Sequence, residues 1–460
     1  MKLRYIYIIL ALTMTCPALG QQTQPATSQP IKDAIWSVAT KAPSYGSAAA
    51  GDIDGDGRPE IVFGTYFNDE HAYALNAEDG SILWKHKSNG GPIDTSVLIH
   101  DVNGDGALEI IFGDSAYGTL YCLNGRGESV WQFKGQSGTD SPAAAADLDG
   151  DGDVEVVYGT MISSKAGQGY VNVLDGKTGQ PVWSQTVPGH VQSEPCLLDV
   201  NSDRTLDVLV TNWHGDDHLR ALDGRDGHEL WKFNTSDSVY HGVSAYDFDR
   251  DGKPEIIVAD RKGSVWMLAA TGEPRWQAAL EGERDGSVFA PTSLVDADRD
   301  GTPEIVVCGQ HLHLLDAAGK LRWRREYGGY SIARGVAVAD VDGDGGDDLV
   351  FGQGTTLRAV RADTGELLWQ RELRVGSDPY ERIDHAPLLL DVDGDGRLDV
   401  FVVLGRGLSG ETQPKNYGQA IALRAGDGQP LPGNTWLTFR GDPRHTGAHA
   451  CQPPPTSQPK

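Results

Sequence analysis

The chain is short of basic residues. In 460 residues, 39 Lys and Arg stand against 65 Asp and Glu, a formal charge of −26. That balance argues against nucleic acid as a partner, because affinity for a phosphate backbone is carried by cations. Long apolar runs are also missing. The one stretch of note, Tyr5 to Met14, is too short to span a bilayer, so no transmembrane anchor is predicted. Cysteine is scarce, with five in the chain. Cys122, Cys196 and Cys308 lie in apolar, strand-like runs of different repeats and read as small buried residues. Cys451 sits in a Pro-rich tail, where pairing with another molecule is open but not demanded.

Glycine, by contrast, is abundant, with 58 residues, and apolar runs are short and broken by turns. This composition predicts an all-β chain. Residues 1–20 read as a secretory signal: Lys2 and Arg4, the apolar stretch, then Ala18-Leu19-Gly20 before Gln21. Thr13-Met14-Thr15 is a poor lead-in for lipid attachment at Cys16, so cleavage after Gly20 and release to the periplasm or exterior is the favoured reading. Residues 21–32 read as a disordered linker and 448–460 as a disordered tail, leaving 33–447 for the folded part.

An acidic run returns eight times, beginning at Asp52, Asp101, Asp147, Asp199, Asp247, Asp296, Asp340 and Asp391. The spacings are 49, 46, 52, 48, 49, 44 and 51 residues, a period that marks a repeat architecture. In the first unit, Ser47 to Gly51 is a small-residue strand, Glu60 to Gly64 a buried one, and His71 to Leu75 a third. Asp79-Gly80 is a turn signal, and Ile82 to Lys87 a fourth strand. Four strands per unit predict a β-propeller blade.

The fourth strand carries a tryptophan in seven units: Trp84, Trp131, Trp183, Trp231, Trp276, Trp323 and Trp369. The eighth unit lacks it, but Ala34 to Thr40 supplies one with Trp36. Eight loops and eight Trp strands agree if this N-terminal strand completes the last blade. The prediction is an eight-bladed propeller so closed, leaving no open edge. The tryptophans read as packing between blades, without a ligand role.

Each acidic loop follows D-x-[DN]-x-D with an acid at position nine. The first four sets are Asp52, Asp54, Asp56, Glu60; Asp101, Asn103, Asp105, Glu109; Asp147, Asp149, Asp151, Glu155; and Asp199, Asn201, Asp203, Asp207. The rest are Asp247, Asp249, Asp251, Glu255; Asp296, Asp298, Asp300, Glu304; Asp340, Asp342, Asp344, Asp348; and Asp391, Asp393, Asp395, Asp399. These sets hold close to half of the 65 acids, and such turns would repel themselves without a cation. Hard oxygen donors in a tight turn predict Ca²⁺, up to eight ions, one per blade and structural in role. Mg²⁺ is disfavoured because it holds its waters, and a redox metal would want His or Cys. Gly occupies position six in seven loops, but the fourth has Arg204, which predicts the weakest site.

The block from Tyr45 to Gly64 (YGSAAAGDIDGDGRPEIVFG) resembles the FG-GAP and VCBS-type repeats of the integrin α-subunit propeller, and all eight units share its pattern. That resemblance implies the propeller and Ca²⁺ binding. The outer hairpins, such as Ala74 to Trp84, Val173 to Trp183 and Ala359 to Trp369, resemble the repeats of quinoprotein (PQQ) dehydrogenases, which are also eight-bladed. No adjacent Cys pair, a feature of many such enzymes, occurs here. The segment Trp436 to Gly447 looks like one that accompanies secreted PQQ-like propellers.

The end of each innermost strand away from the acidic loop faces the other mouth of the channel. Positions there are Tyr45, Asp94, Asp140, Gln192, Tyr240, His241, Phe289, Arg334, Asp384 and His385. Loops on the same face add Tyr66, Phe67, Tyr117, Trp213, His214, Arg261, Lys262, His311 and Arg406. This face differs from blade to blade, and variation on a repeated scaffold is where function sits. Aromatics, carboxylates and His predict a hydroxyl-rich ligand. The favoured reading is an exported binding module for polysaccharide or a cell-surface protein. The alternatives are an enzyme acting on polysaccharide, as in rhamnogalacturonan lyases built on Ca²⁺-bearing propellers, and a PQQ-dependent dehydrogenase.

Overall fold

The computed structural model describes residues 34–162, 167–283 and 286–428. The signal segment, the linker, Trp436 to Gly447 and the tail lie outside the described residues.

The described chain forms eight antiparallel sheets in a ring. Blade 1 runs outward as Ala49–Gly51, Glu60–Gly64, His71–Asn76 and Ile82–Lys87. Blades 2 to 7 repeat this order from innermost strands Leu98–His100, Ala144–Ala146, Cys196–Leu198, Ser244–Tyr246, Ser293–Val295 and Ala337–Ala339. Blade 8 has Leu388–Leu390, Asp399–Arg406 and Tyr417–Arg424, and its outermost strand is Ala34–Thr40. That strand pairs antiparallel to Tyr417–Arg424, with Trp36 opposite Ala422. The predicted ring closure is present.

The innermost strand of blade 1 is shorter than the predicted Ser47 to Gly51. The Ser47 amide donates to the Ser96 hydroxyl of blade 2 at 3.0 Å, not to its own ladder. Hydroxyls stitch other blades at the centre too, such as Ser141 of blade 3 to the Ser193 carbonyl of blade 4 at 2.7 Å.

Every second strand is buried along its whole length. It is covered on both faces, so it reads as a continuous apolar run without alternation. The core is divided into layers between adjacent blades. Val62, Ala72 and Ala74 of blade 1, for example, pack with Ile99, Ile110 and Phe112 of blade 2. Cys122, Cys196 and Cys308 are buried, and none is in a disulfide.

Six of the eight tryptophans latch their blade to the next through the indole N–H, while those of Trp231 and Trp369 have no partner. The indole N–H of Trp84 donates to the Gly125 carbonyl at 2.8 Å, Trp131 to Gly176 at 2.7 Å, and Trp183 to Gly224 at 2.7 Å. Trp276, Trp323 and Trp36 do likewise. The Trp36 ring lies on Gly80, where φ is +70° and a Cβ would approach a ring carbon to 2.5 Å. Only glycine satisfies both the left-handed turn and the ring contact.

Candidate ligand site at the channel mouth and candidate metal loops

The acidic loops join the first and second strands of each blade, and their geometry repeats. In blade 1 the Asp52 carboxylate accepts the Gly55 and Gly57 amides at 2.8 and 3.0 Å. Asp54 accepts from Asp56, Asp56 from Arg58, and Glu60 reaches back to the Ile53 amide at 2.9 Å. The main chain thus organises the acids while leaving one oxygen each of Asp54, Asp56 and Glu60 without a main-chain donor. Asp52, Asp54 and Glu60 present oxygens within 4.8 Å of one another, as do Asp147, Asp149, Glu155 and the triplets at Asp247 and Asp296.

The position-nine acid is buried in every loop. Burial, with the neighbouring carboxylates, pushes Glu109, Glu155 and Asp348 up to about 7. Asp207 is fully buried, and its Oδ1 has no hydrogen-bond partner. An unpartnered buried carboxylate oxygen beside an all-oxygen donor set fits a hard cation. In the fourth loop Arg204 takes φ +74° and Ser202 φ +64°, yet the Arg204 amide still reaches Asp199 at 2.9 Å.

The loops divide in a way the sequence did not disclose. In blade 5, Arg275 pairs with Asp249 and with Glu255 at 2.8 Å. Arg322 pairs with Asp298 at 2.7 Å, Arg361 with Asp342 at 2.6 Å, and Arg225 with Asp203 at 2.8 Å. Arg424 spans Asp393, Asp395 and Asp399 at 2.8–3.0 Å. In blades 1 to 3 the nearby cations Arg58, Arg126 and Lys177 pair instead with Glu78, Glu128 and Asp153, outside the loop sets.

At the opposite mouth, residues from distant blades meet. Arg334 of blade 7 reaches over to the main-chain carbonyl of Asp94 in blade 2 at 3.4 Å. Asp94 accepts from the Ser115 hydroxyl at 2.9 Å, and Asp140 from the Gln192 amide at 2.7 Å. One oxygen of each carboxylate and Nη1 of Arg334 are buried without a partner. Burial and the charge of Asp140 raise Asp94 well above the usual carboxylate range, and burial raises Asp140.

Aromatic rings flank this group. Trp213 and Phe289 stack at 6.0 Å with 25° between planes, and Tyr240 sits edge-on to Trp213 at 4.3 Å. The Arg261 guanidinium lies 4.6 Å from the Trp213 centroid and 5.2 Å from that of Phe289. Burial, then the charge of Asp140, raise the Tyr240 hydroxyl. On the other side Tyr45 packs on Tyr66 at 4.5 Å and donates to the Gly407 carbonyl, beside the Arg382–Asp384 ion pair at 2.5 Å.

Several other mouth residues are tied into the scaffold. His241 is buried with its Nδ1 2.7 Å from Glu194, whose other oxygen accepts the Gly242 amide. His385 is buried, with one ring nitrogen at the Ala386 carbonyl and the other accepting the Val403 amide at 2.8 Å. Arg406 is buried against Asp378 and Asn416. Tyr117 stands exposed beside Lys134, and Lys262 pairs with Asp237. Arg382 was not singled out in the sequence, since its link to Asp384 follows from a short strand, Glu381–Arg382, added at the edge of blade 8.

A family model described as outer membrane protein assembly factor BamB matches residues 116–308 and 252–416. A model of the lambda-carrageenase β-propeller domain matches 73–146, and one of the FG-GAP repeat matches 44–83. Lambda-carrageenase of Pseudoalteromonas carrageenovora is 34% identical over 77 residues, 17% of this chain. The chain spans only 8% of the length of that relative. Among solved structures, quinohemoprotein alcohol dehydrogenase ADHIIG from Pseudomonas putida HK5 aligns over 89% of this chain and 80% of its own, with TM-score 0.60 and 15% identity. BamB from Moraxella catarrhalis aligns over 84% of this chain and 98% of its own, with TM-score 0.53 and 13% identity. At these identities the likeness is one of fold. Because the two BamB-type matches together take in well over half of the chain, it belongs to the propeller family which that model describes.

Proposed function

We propose that the protein is an exported, Ca²⁺-stabilised propeller that binds polysaccharide at the channel mouth. One observation carries the reading: Arg334 crosses to blade 2 beside Asp94 and Asp140, and all three keep a buried polar atom without a partner. Buried polar groups left unpaired are costly, and sugar hydroxyls would satisfy donors and acceptors alike. The adjoining Trp213, Tyr240 and Phe289 offer faces on which a sugar ring can stack. The carrageenase-type match at 73–146 includes Asp94 and Asp140 and supports the same ligand class. Export rests on residues 1–20, and no helix among the described residues is long and apolar enough to cross a membrane.

The Ca²⁺ ions would be held by the four-residue set of each loop, all acids except Asn103 and Asn201, pinning the turn between the first and second strands. The test of function is a panel of sulfated, uronate-bearing and neutral polysaccharides presented to the Ca²⁺-loaded protein. Binding to at least one class is the expected result. Failure across the panel contradicts the reading.

A second reading is an enzyme acting on polysaccharide at the same mouth. It is favoured by Asp94 and Asp140, two buried carboxylates raised by burial, the first also by the charge of the second, a combination suited to proton transfer. Incubation of the bound polysaccharide with the protein distinguishes the two: shorter chains with unsaturated ends mark a lyase, and an unchanged chain length marks a binding module.

A further inference from the structure

Blade 6 departs from blades 1 and 2 at the hairpin between its second and third strands. In blade 1 the third-strand residue opposite Phe63 is Tyr73, whose hydroxyl donates to Asp69 of the hairpin at 2.8 Å. In blade 2 the residue opposite Phe112 is Tyr121, which reaches Asp114 at 3.3 Å. His313 holds the same place in blade 6, opposite Val307. It is completely buried, and neither ring nitrogen has a hydrogen-bond partner. The Val307 carbonyl lies near the ring but outside hydrogen-bonding geometry.

The carboxylate is present but comes from elsewhere. Glu283, in the connection entering blade 6, has a fully buried side chain. Its Oε1 is 2.9 Å from Nδ1 of His311 and 3.9 Å from Nδ1 of His313. Gly309 makes the room, since a Cβ there would come within 2.5 Å of Glu283 Oε2. The amides of Gln310 and His311 both donate to Glu283 at 2.8 Å, and the Ser287 hydroxyl donates to it as well. Although burial opposes it, these donors hold Glu283 below the usual carboxylate range. Burial pushes His313 down to about 4, leaving its ring neutral. Arg324, on the outermost strand opposite His313, turns its guanidinium to the Glu281 carbonyl at 2.7 Å.

We propose that His311, His313 and Glu283 form a binding site for one divalent transition ion of the zinc class. Ligand bonds of roughly 2.0–2.2 Å place one ion among atoms 2.9 and 3.9 Å apart. The donor set, two nitrogens and one oxygen, suits zinc and its neighbours and not Ca²⁺. Glu326, exposed, stands 3.7 Å from the other ring nitrogen of His311, beyond hydrogen-bond reach. The ion would tie the hairpin of blade 6 to its entering connection, as the Tyr–Asp bonds tie blades 1 and 2.

The test uses the full chain, stripped by chelator and then saturated with Ca²⁺ so that the acidic loops are occupied. Co²⁺ is added as the spectroscopic probe and Zn²⁺ as competitor. One Co²⁺ per chain is expected, with a visible band of mixed nitrogen and oxygen ligation that Zn²⁺ abolishes. His313→Ala and His311→Asn should each weaken binding by at least about 10-fold. Since a substitution at fully buried His313 can cost folding, His311→Asn, a conservative change at a slightly less buried position, is the paired control, with circular dichroism confirming both folds. No Co²⁺ bound by the wild type, or equal binding by folded variants, overturns the proposal.

Discussion

The indole N–H of Trp36 donates to the Ala77 carbonyl at 2.6 Å, joining the first described strand to blade 1 while that strand completes blade 8. The ring is therefore closed twice, by strand pairing and by the latch. Trp36→Ala should cost about 3 kcal/mol or more, the scale of losing a large aromatic from a packed site. Trp36→Phe keeps a ring and loses the hydrogen bond, at about 1 kcal/mol. The same change at Trp231, whose N–H has no partner, should cost less. Denaturant titration of the three variants checks the order.

Arg204 occupies a left-handed position that glycine fills in the other seven loops. Arg204→Gly should raise stability by about 1 kcal/mol, the penalty a side chain pays there. It should also strengthen Ca²⁺ binding at the fourth loop. An unchanged or lower unfolding midpoint in Ca²⁺ would contradict this.

Loops with an arginine among their carboxylates carry part of their own counter-charge, and those of blades 1 to 3 do not. Chelation should lower the melting temperature, and the loss should concentrate in the arginine-free loops. Asp54→Asn is expected to remove more of the Ca²⁺-dependent rise than Asp393→Asn, whose carboxylate already pairs with Arg424. Thermal melts of both variants with Ca²⁺ and with chelator make the comparison.

His190 is held down to about 4, from an ordinary value of 6.5, by burial and then by the charge of His214. Its Nδ1 accepts the Ile162 amide at 3.2 Å, which needs the neutral ring. The unfolded chain binds the proton more readily, so stability is fully present above the unfolded value and falls as pH drops from 6.5 towards 4. His190→Gln should flatten that part of the profile of melting temperature against pH. An identical slope would refute the assignment.

The repeats explain what the sequence disclosed. Strands Glu60–Gly64, Ile82–Lys87 and Ala34–Thr40 have the predicted bounds, because turn residues and apolar runs delimit them locally. The blade count followed from matching acidic loops to Trp strands. The mouth residues could be named from strand ends, but not their partners. Arg334 and Asp94 lie 240 positions apart and meet only through ring geometry. Likewise, nothing local shows that His241 is spent on Glu194 or His385 on Val403. The loop arginines were missed for the same reason, since their pairing depends on where third and fourth strands end relative to the first turn.

The decisive measurement is the affinity of Arg334→Gln and Trp213→Ala, both in Ca²⁺, for the polysaccharide that the wild type binds best. If the ligand sits over the Arg334, Asp94 and Asp140 group against the aromatic face, each variant should lose at least about 10-fold in affinity, the equivalent of one good contact. The Ca²⁺-dependent melting temperature should stay near the wild-type value. Undiminished binding by both folded variants would contradict a ligand site at this mouth.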